Sequence, residues 1–191
     1  MLPMNRTATL RTVAKRAGLA LGAVLTTAAV SLTLSPSTSY AAEPTMCLDA
    51  GNSRQNGNPV VIWQCAVPGD SFTPNQQWVI DGGQIKVADT AGTARPMCLD
   101  AGNTRNNSDN VRLWQCLSPI HANQKFVIEH GQIMVADTLG TSRPMCLDIT
   151  STRNNGDRAI IYQCASSYES YMYNQRFLIE HSMIKVADTM H

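Results

Sequence analysis

Asp49, Asp100 and Asp148 each end a copy of the same four residues, Met-Cys-Leu-Asp. An aromatic residue follows each aspartate at one spacing, as Trp63, Trp114 and Tyr162. Two residues after each ring comes a second cysteine, and further on an Asn-Gln pair: Asn75-Gln76, Asn123-Gln124 and Asn174-Gln175. A carboxylate accepts charge-assisted hydrogen bonds from two adjacent hydroxyls. An aromatic ring buries an apolar patch, and an amide donates and accepts at once. Such a set suits a molecule with hydroxyls around its rim and C–H groups on one face, which describes a sugar ring. A single aspartate of this kind could instead serve a turn by bonding backbone amides, and a single ring could pack on the disulfide. Three copies in register favour the binding reading.

The elements that hold these residues repeat with them. The first cysteines lie at 47, 98 and 146, giving periods of 51 and 48 residues. Three such units imply one architecture made by triplication. The three-residue difference lies in the segment before Asn-Gln, which runs over 66–74, 117–122 and 165–173. Phe72, His121 and Tyr171 fall there, beside the expected site, and could tune its specificity.

All six cysteines recur in pairs eighteen residues apart. An even count at repeated spacing in an exported chain reads as disulfides. Six cysteines allow fifteen pairings, and the repeat symmetry favours Cys47–Cys65, Cys98–Cys116 and Cys146–Cys164. The zinc alternative lacks any Cys-x-x-Cys pair, so neither metal nor cofactor is expected. If each pair faces itself across two antiparallel strands, opposed residues share a constant sum. Asp49 then stands directly opposite Trp63, Asp100 opposite Trp114 and Asp148 opposite Tyr162, on a face turned away from the core.

Each unit carries four apolar stretches of strand character, in the first unit Met46–Asp49, Val60–Cys65, Gln77–Ile80 and Gln84–Ala88. Turn-formers such as Asn56-Gly57-Asn58-Pro59 separate them. No window has the period of an amphipathic helix. Twelve short strands in three units predict an all-β domain with pseudo-threefold symmetry, for which the β-trefoil is the compact solution. Alternation sends Val60, Ile62, Val111, Leu113, Ala159 and Ile161 inward. Leu48, Leu99, Leu147, Ile85, Ile133 and Ile184 join them, with Trp78, Phe126 and Phe177 at one equivalent position and Met46, Met97 and Met145 packing nearby. Ala-Asp-Thr also recurs, and Asp89, Asp137 and Asp188 are expected to shape turns by bonding the backbone.

Residues 1–41 read as a secretory signal: a basic start at Arg6, Arg11, Lys15 and Arg16, an apolar stretch diluted by Thr and Ser, and small residues around Ala41. An uncleaved anchor is the lesser reading, because a spanning helix wants about 20 predominantly apolar residues. The remaining domain, 42–191, divides into repeats over about 45–96, 97–144 and 145–191. The whole chain has 15 Lys and Arg against 14 Asp and Glu. Losing the leader removes four bases and no acid, so the mature charge is 11 − 14 = −3. That balance argues against nucleic acid as a partner. A secreted monomer that does not insert into membranes once its signal is removed is the expectation.

Cys-Leu-Asp, then Asn-Gly-Asn-Pro-Val-Val-Ile-Trp-Gln-Cys, then Asn-Gln-Gln-Trp resembles the repeat of ricin B-type lectins, β-trefoils also found as binding modules on actinomycete xylanases. The resemblance spans 45–191. Its Gln-x-Trp signature stands as Gln76-Gln77-Trp78 and becomes Gln124-Lys125-Phe126 and Gln175-Arg176-Phe177. It implies carbohydrate binding with glycans as partners. The aspartate would grip hydroxyls, the aromatic would stack on the sugar, the Asn would bond a hydroxyl and the Gln would orient the Asp. Those roles fall to Asp49, Trp63, Asn75 and Gln76; to Asp100, Trp114, Asn123 and Gln124; and to Asp148, Tyr162, Asn174 and Gln175. Galactose-type sugars are implied first, with rhamnose or xylan and arabinan fragments behind them. Two departures bear on specificity. Galactose-binding members often carry a polar residue two before the ring, where this chain has Val61, Arg112 and Ile160. The third unit has Ile149-Thr150-Ser151 in place of Ala-Gly-Asn. A secreted glycoside hydrolase is the competing class, but it usually needs two carboxylates about 5–9.5 Å apart, and each unit offers one. A protein-binding or inhibitor trefoil would have no need of the acid–ring–amide set in every unit.

Overall fold

The computed structural model describes residues 43–190, so the leader expected over 1–41 lies outside the described residues. The first repeat forms β1 (Met46–Asp49), β2 (Val61–Gln64), β3 (Trp78–Asp81) and β4 (Gln84–Val87). The second forms β5 (Met97–Asp100), a two-residue β6 (Asp109–Asn110), β7 (Arg112–Gln115), β8 (Phe126–Glu129) and β9 (Gln132–Val135). The third forms β10 (Met145–Ile149), β11 (Ala159–Gln163), β12 (Phe177–Glu180) and β13 (Met183–Val186). Each predicted strand of the first repeat is present within a residue or so of its expected ends. The added strand, β6, is a local pairing with β11 at Asn110 and Asp109.

Each sheet joins two repeats. One sheet orders as β3-β4-β5-β7, the next as β6-β11-β10-β9-β8, and the last as β12-β13-β1-β2. The second hairpin of every repeat therefore pairs with the first hairpin of the following one, and the third repeat closes onto the first. No repeat completes a sheet alone, which is why the triplication yields one domain. At the centre the backbone makes a closed ring of three hydrogen bonds. Val60 N–H donates to the Val111 carbonyl (3.2 Å), Val111 N–H to that of Ala159 (3.0 Å), and Ala159 N–H to that of Val60 (2.9 Å). This ring marks the pseudo-threefold axis.

One core fills the space between the sheets. Every residue that alternation sends inward lies in a single buried cluster, including Trp78, Phe126, Phe177 and the three methionines of Met-Cys-Leu-Asp. Trp78 also donates its indole N–H to the Leu48 carbonyl at 3.1 Å, which satisfies the polar end of a buried ring.

The Ala-Asp-Thr motif behaves otherwise than expected. The threonine, and not the aspartate, makes the backbone bonds. Thr90 Oγ1 donates to Val87 O (2.8 Å) and accepts from Met97 N–H (2.9 Å). Thr138 does the same with Val135 and Met145. Thr189 bonds Val186 and, across the ring closure, Met46. The aspartates instead face outward onto arginines, because a guanidinium offers a carboxylate two parallel charge-assisted bonds where a turn N–H offers one.

Candidate functional site

All three cysteine pairs form within their own repeats, Cys47–Cys65, Cys98–Cys116 and Cys146–Cys164, with Cα separations of 4.9, 5.0 and 4.9 Å. Their strand register differs from the expected one. Cys47 faces Trp63 and Asp49 faces Val61; Asp100 faces Arg112 and Asp148 faces Ile160. The crosslinks are thus diagonal, since the twist of a strand pair brings one diagonal nearer than the other. A shift of two residues preserves facing, so each aspartate still shares a face with its ring, one step away along the partner strand. The residue directly across from the carboxylate is Val61, Arg112 or Ile160.

The carboxylates are also more enclosed than a solvent-facing sheet implies. Asp49, Asp100 and Asp148 are 5%, 2% and 4% exposed. A short 3-10 turn ending in Asn-Gln folds over each of them, at Thr73–Gln76, Ala122–Gln124 and Ser170–Gln175. The glutamine at its end is fully buried in all three. Gln76 Nε2 donates to Asp49 Oδ2 (3.0 Å) and to the Gln64 carbonyl (3.1 Å), while its Oε1 accepts from Ala66 N–H (2.7 Å). Gln124 makes the same three bonds with Asp100, Gln115 and Leu117, and Gln175 with Asp148, Gln163 and Ala165. Each glutamine ties carboxylate, strand end and loop into one unit.

Three shallow pockets result. The first, about 350 Å³, is walled by Asp49, Val61, Trp63, Phe72 and Asn75. The second, about 160 Å³, has Asp100, Arg112, Trp114, His121 and Asn123. The third, about 220 Å³, has Asp148, Ile160, Tyr162, Tyr171 and Asn174. Trp63 and Trp114 are 42% and 37% exposed, so these rings are not packing for the disulfides. Phe72, His121 and Tyr171, singled out in the variable segment, each line a pocket, and Tyr171 packs edge-on against Tyr162 at 5.4 Å.

Sequence reasoning missed three arginines. Arg54, Arg105 and Arg153 each follow the first cysteine by seven residues, a repeat as regular as the aspartates. Arg54 grips Asp89 with two bonds of 3.0 and 2.9 Å and reaches Asn75 Oδ1 at 3.0 Å. Arg105 grips Asp137, and Arg153 grips Asp188 and reaches Asn174 Oδ1 at 3.1 Å. Each also bonds a carbonyl of the loop after the site aspartate, at Gly51, Gly102 and Thr150. They brace that loop from outside the pocket.

An acid, a ring and an amide around an open pocket can hold a polyol by hydrogen bonds at its rim and stacking on its face. A model of the ricin-type β-trefoil lectin domain matches residues 38–177. The chain belongs to this lectin family. Among solved structures it is similar to the β-trefoil lectin of the Vibrio vulnificus hemolysin/cytolysin, determined with N-acetyl-D-lactosamine bound. That pair shares 19% identity over 69% of this chain and 82% of the other, at a TM-score of 0.44. It is also similar to ThreeFoil, a designed threefold-symmetric protein, at 22% identity over 69% and 93% of the chains and a TM-score of 0.44. Curated proteins give no match.

The three pockets of this lectin domain are not electrostatically equal. Asp49 Oδ1 accepts from Gly51 N–H (2.7 Å) and Asp100 Oδ1 from Gly102 N–H (2.8 Å). Both glycines take positive φ, 67° and 73°, which turns the amide back toward the carboxylate. The third repeat has Thr150 there, a β-branched residue that does not take this conformation. Asp148 Oδ1 has no such donor among the described residues. Burial raises the Asp148 carboxyl to about 6, against the lowering effects of the Gln175 hydrogen bond and the Arg153 charge.

That shift has two opposite consequences. The folded-state value lies above the ordinary one, so the folded protein takes up this proton more readily than the unfolded chain. Acidification from pH 7 toward 4 therefore favours folding on this group's account. It also removes the charge that would hold hydroxyls. A D49A/D100A variant, which leaves only the third pocket, should lose sugar affinity as pH falls through about 6. Titrating that variant between pH 7.5 and 5 checks this; a flat affinity profile would refute it.

Proposed function

We propose that this chain is a secreted lectin that holds up to three sugars at once, one in each pocket, and so crosslinks glycan-bearing surfaces as a monomer. One observation carries the reading: the acid, ring and amide set lines a pocket in every repeat. The disulfides fit an oxidising compartment, in keeping with the leader-like residues 1–41. Galactose-type sugars are the first candidates, followed by rhamnose and by xylan or arabinan fragments. Each pocket is lined by a single carboxylate among the described residues, whereas a glycosidase usually sets two across the scissile bond.

A shallow site of this kind should bind one sugar weakly, at roughly 0.1–1 mM, or about −4 to −5.5 kcal/mol. Three such sites on one rigid body raise avidity by orders of magnitude when the glycans are clustered. Screening the purified protein on a glycan array, and adding it to cells that display the best binder, tests both parts. Binding of a defined sugar with visible agglutination, reversed by millimolar free sugar, is the expected outcome. Binding without agglutination would leave a lectin with one working site. No glycan binding at all would remove the lectin reading for this chain.

A further inference from the structure

We propose that the second pocket selects an acidic saccharide, a sugar bearing a carboxylate or sulfate, and that Arg112 is the residue that grips the anion. The inference rests on reading the pockets as sugar sites. Arg112 stands directly across from Asp100, where the other two pockets have the hydrocarbon side chains of Val61 and Ile160. One wall of one pocket therefore carries a cation that its two counterparts lack.

This cation packs against the pocket wall and has no hydrogen-bonded counter-ion. Its Nε is buried without a hydrogen-bond partner among the described residues, and it lies 3.9 Å from Asp100 Oδ1, beyond hydrogen-bonding range. Asp100 is already engaged by Gly102 N–H (2.8 Å), Asn123 Nδ2 (2.8 Å) and Gln124 Nε2 (3.1 Å). The guanidinium carbon sits 5.7 Å from the centroid of Trp114, within cation–π range. Its Nη2 packs so closely on Gly102 that a Cβ there would come within 2.9 Å. Ring and glycine flank the fork, and 40% of the side chain remains open to solvent.

A planar guanidinium fork is suited to bidentate bonding of a carboxylate or sulfate. It also lies over the ring on which a neutral sugar would stack. In the second pocket the charges of Arg112 and Asp100 cancel. The first and third are each lined by a lone carboxylate, since Arg54 and Arg153 are bound to Asp89 and Asp188. An acidic sugar is therefore repelled by two pockets and admitted by one. His121 and Asn123 on the same pocket supply further polar groups for the hydroxyls.

The test isolates the second pocket in a D49A/D148A variant. It is titrated with three probes: methyl galactoside, the corresponding galacturonate, and galactose 6-sulfate. At least one anionic sugar should bind tenfold or more tighter than the neutral one, and 0.5 M NaCl should reduce that advantage. Adding R112V, which installs the residue of the first pocket, should erase the preference without unfolding the protein, and R112K should keep only part of it. Equal affinity for neutral and acidic sugars, or a preference that survives R112V, would overturn the proposal. If the wild type still binds neutral sugars in that case, the lectin reading stands and only the acid selectivity falls. If the wild type binds no saccharide, both fall.

Discussion

Replacing Asp49, Asp100 and Asp148 together with alanine should abolish detectable glycan binding and leave a folded protein. Asp49 accepts two bonds from the protein, Asp148 one and Asp100 three, so each carboxylate keeps at least one acceptor position for a hydroxyl. A hydrogen bond to a charged group contributes about 1.5–3 kcal/mol. Losing one or two such bonds removes a large part of the roughly −4 to −5.5 kcal/mol expected of one site. The fold should survive because none of the three belongs to the hydrophobic cluster, and the buried glutamines keep a backbone carbonyl and a backbone N–H as partners. Calorimetric titration with the best array sugar, alongside thermal unfolding, checks both halves. Wild-type affinity in the folded triple variant would show that sugars bind elsewhere.

Gln76→Ala should be among the most destabilising single changes in the first repeat that remove no hydrophobic packing. It strips three hydrogen bonds from a fully buried side chain and leaves Asp49 Oδ2, the Gln64 carbonyl and Ala66 N–H without that partner. An orphaned buried polar group costs about 1–3 kcal/mol. Water can reach part of this site, so a total of about 3 kcal/mol is expected, a drop in Tm of about 6–12 °C for a domain of this size. Affinity at the first pocket should fall as well, because Asp49 loses the group that orients it. Chemical denaturation of the variant gives the first quantity. A loss below about 1 kcal/mol would mean that the glutamine is not the tie between strand and loop.

Much of this was legible in the chain itself. The period-two alternation in Val60-Val61-Ile62-Trp63 put Val60 and Ile62 inside and Trp63 outside. The identical cysteine spacing identified the pairings. The regular return of aspartate, aromatic and asparagine marked three residues that line each pocket, and the loop-length difference marked Phe72, His121 and Tyr171 as their neighbours. The arginines went unread although their spacing is just as regular, because an arginine's partner is chosen in space. Arg54 meets Asp89 thirty-five residues away, and no local pattern links the two.

The register shows the same boundary from the other side. Disulfide spacing constrained which residues share a face, since facing depends only on whether a separation is odd or even. It did not constrain which residue stands opposite which, because that depends on strand twist. From that two-residue difference follows the position of Arg112 directly across from Asp100. The chain alone therefore determined the repeat, the fold class, the core and the recurring acid, ring and asparagine of each pocket, all of which are set by short-range periodicity and by matching units. The tertiary structure decided how deeply the carboxylates are buried, which cation reaches which acid, and how the three pockets differ. Those depend on distances between segments far apart in sequence, where burial and Coulomb interaction act and periodicity carries no information.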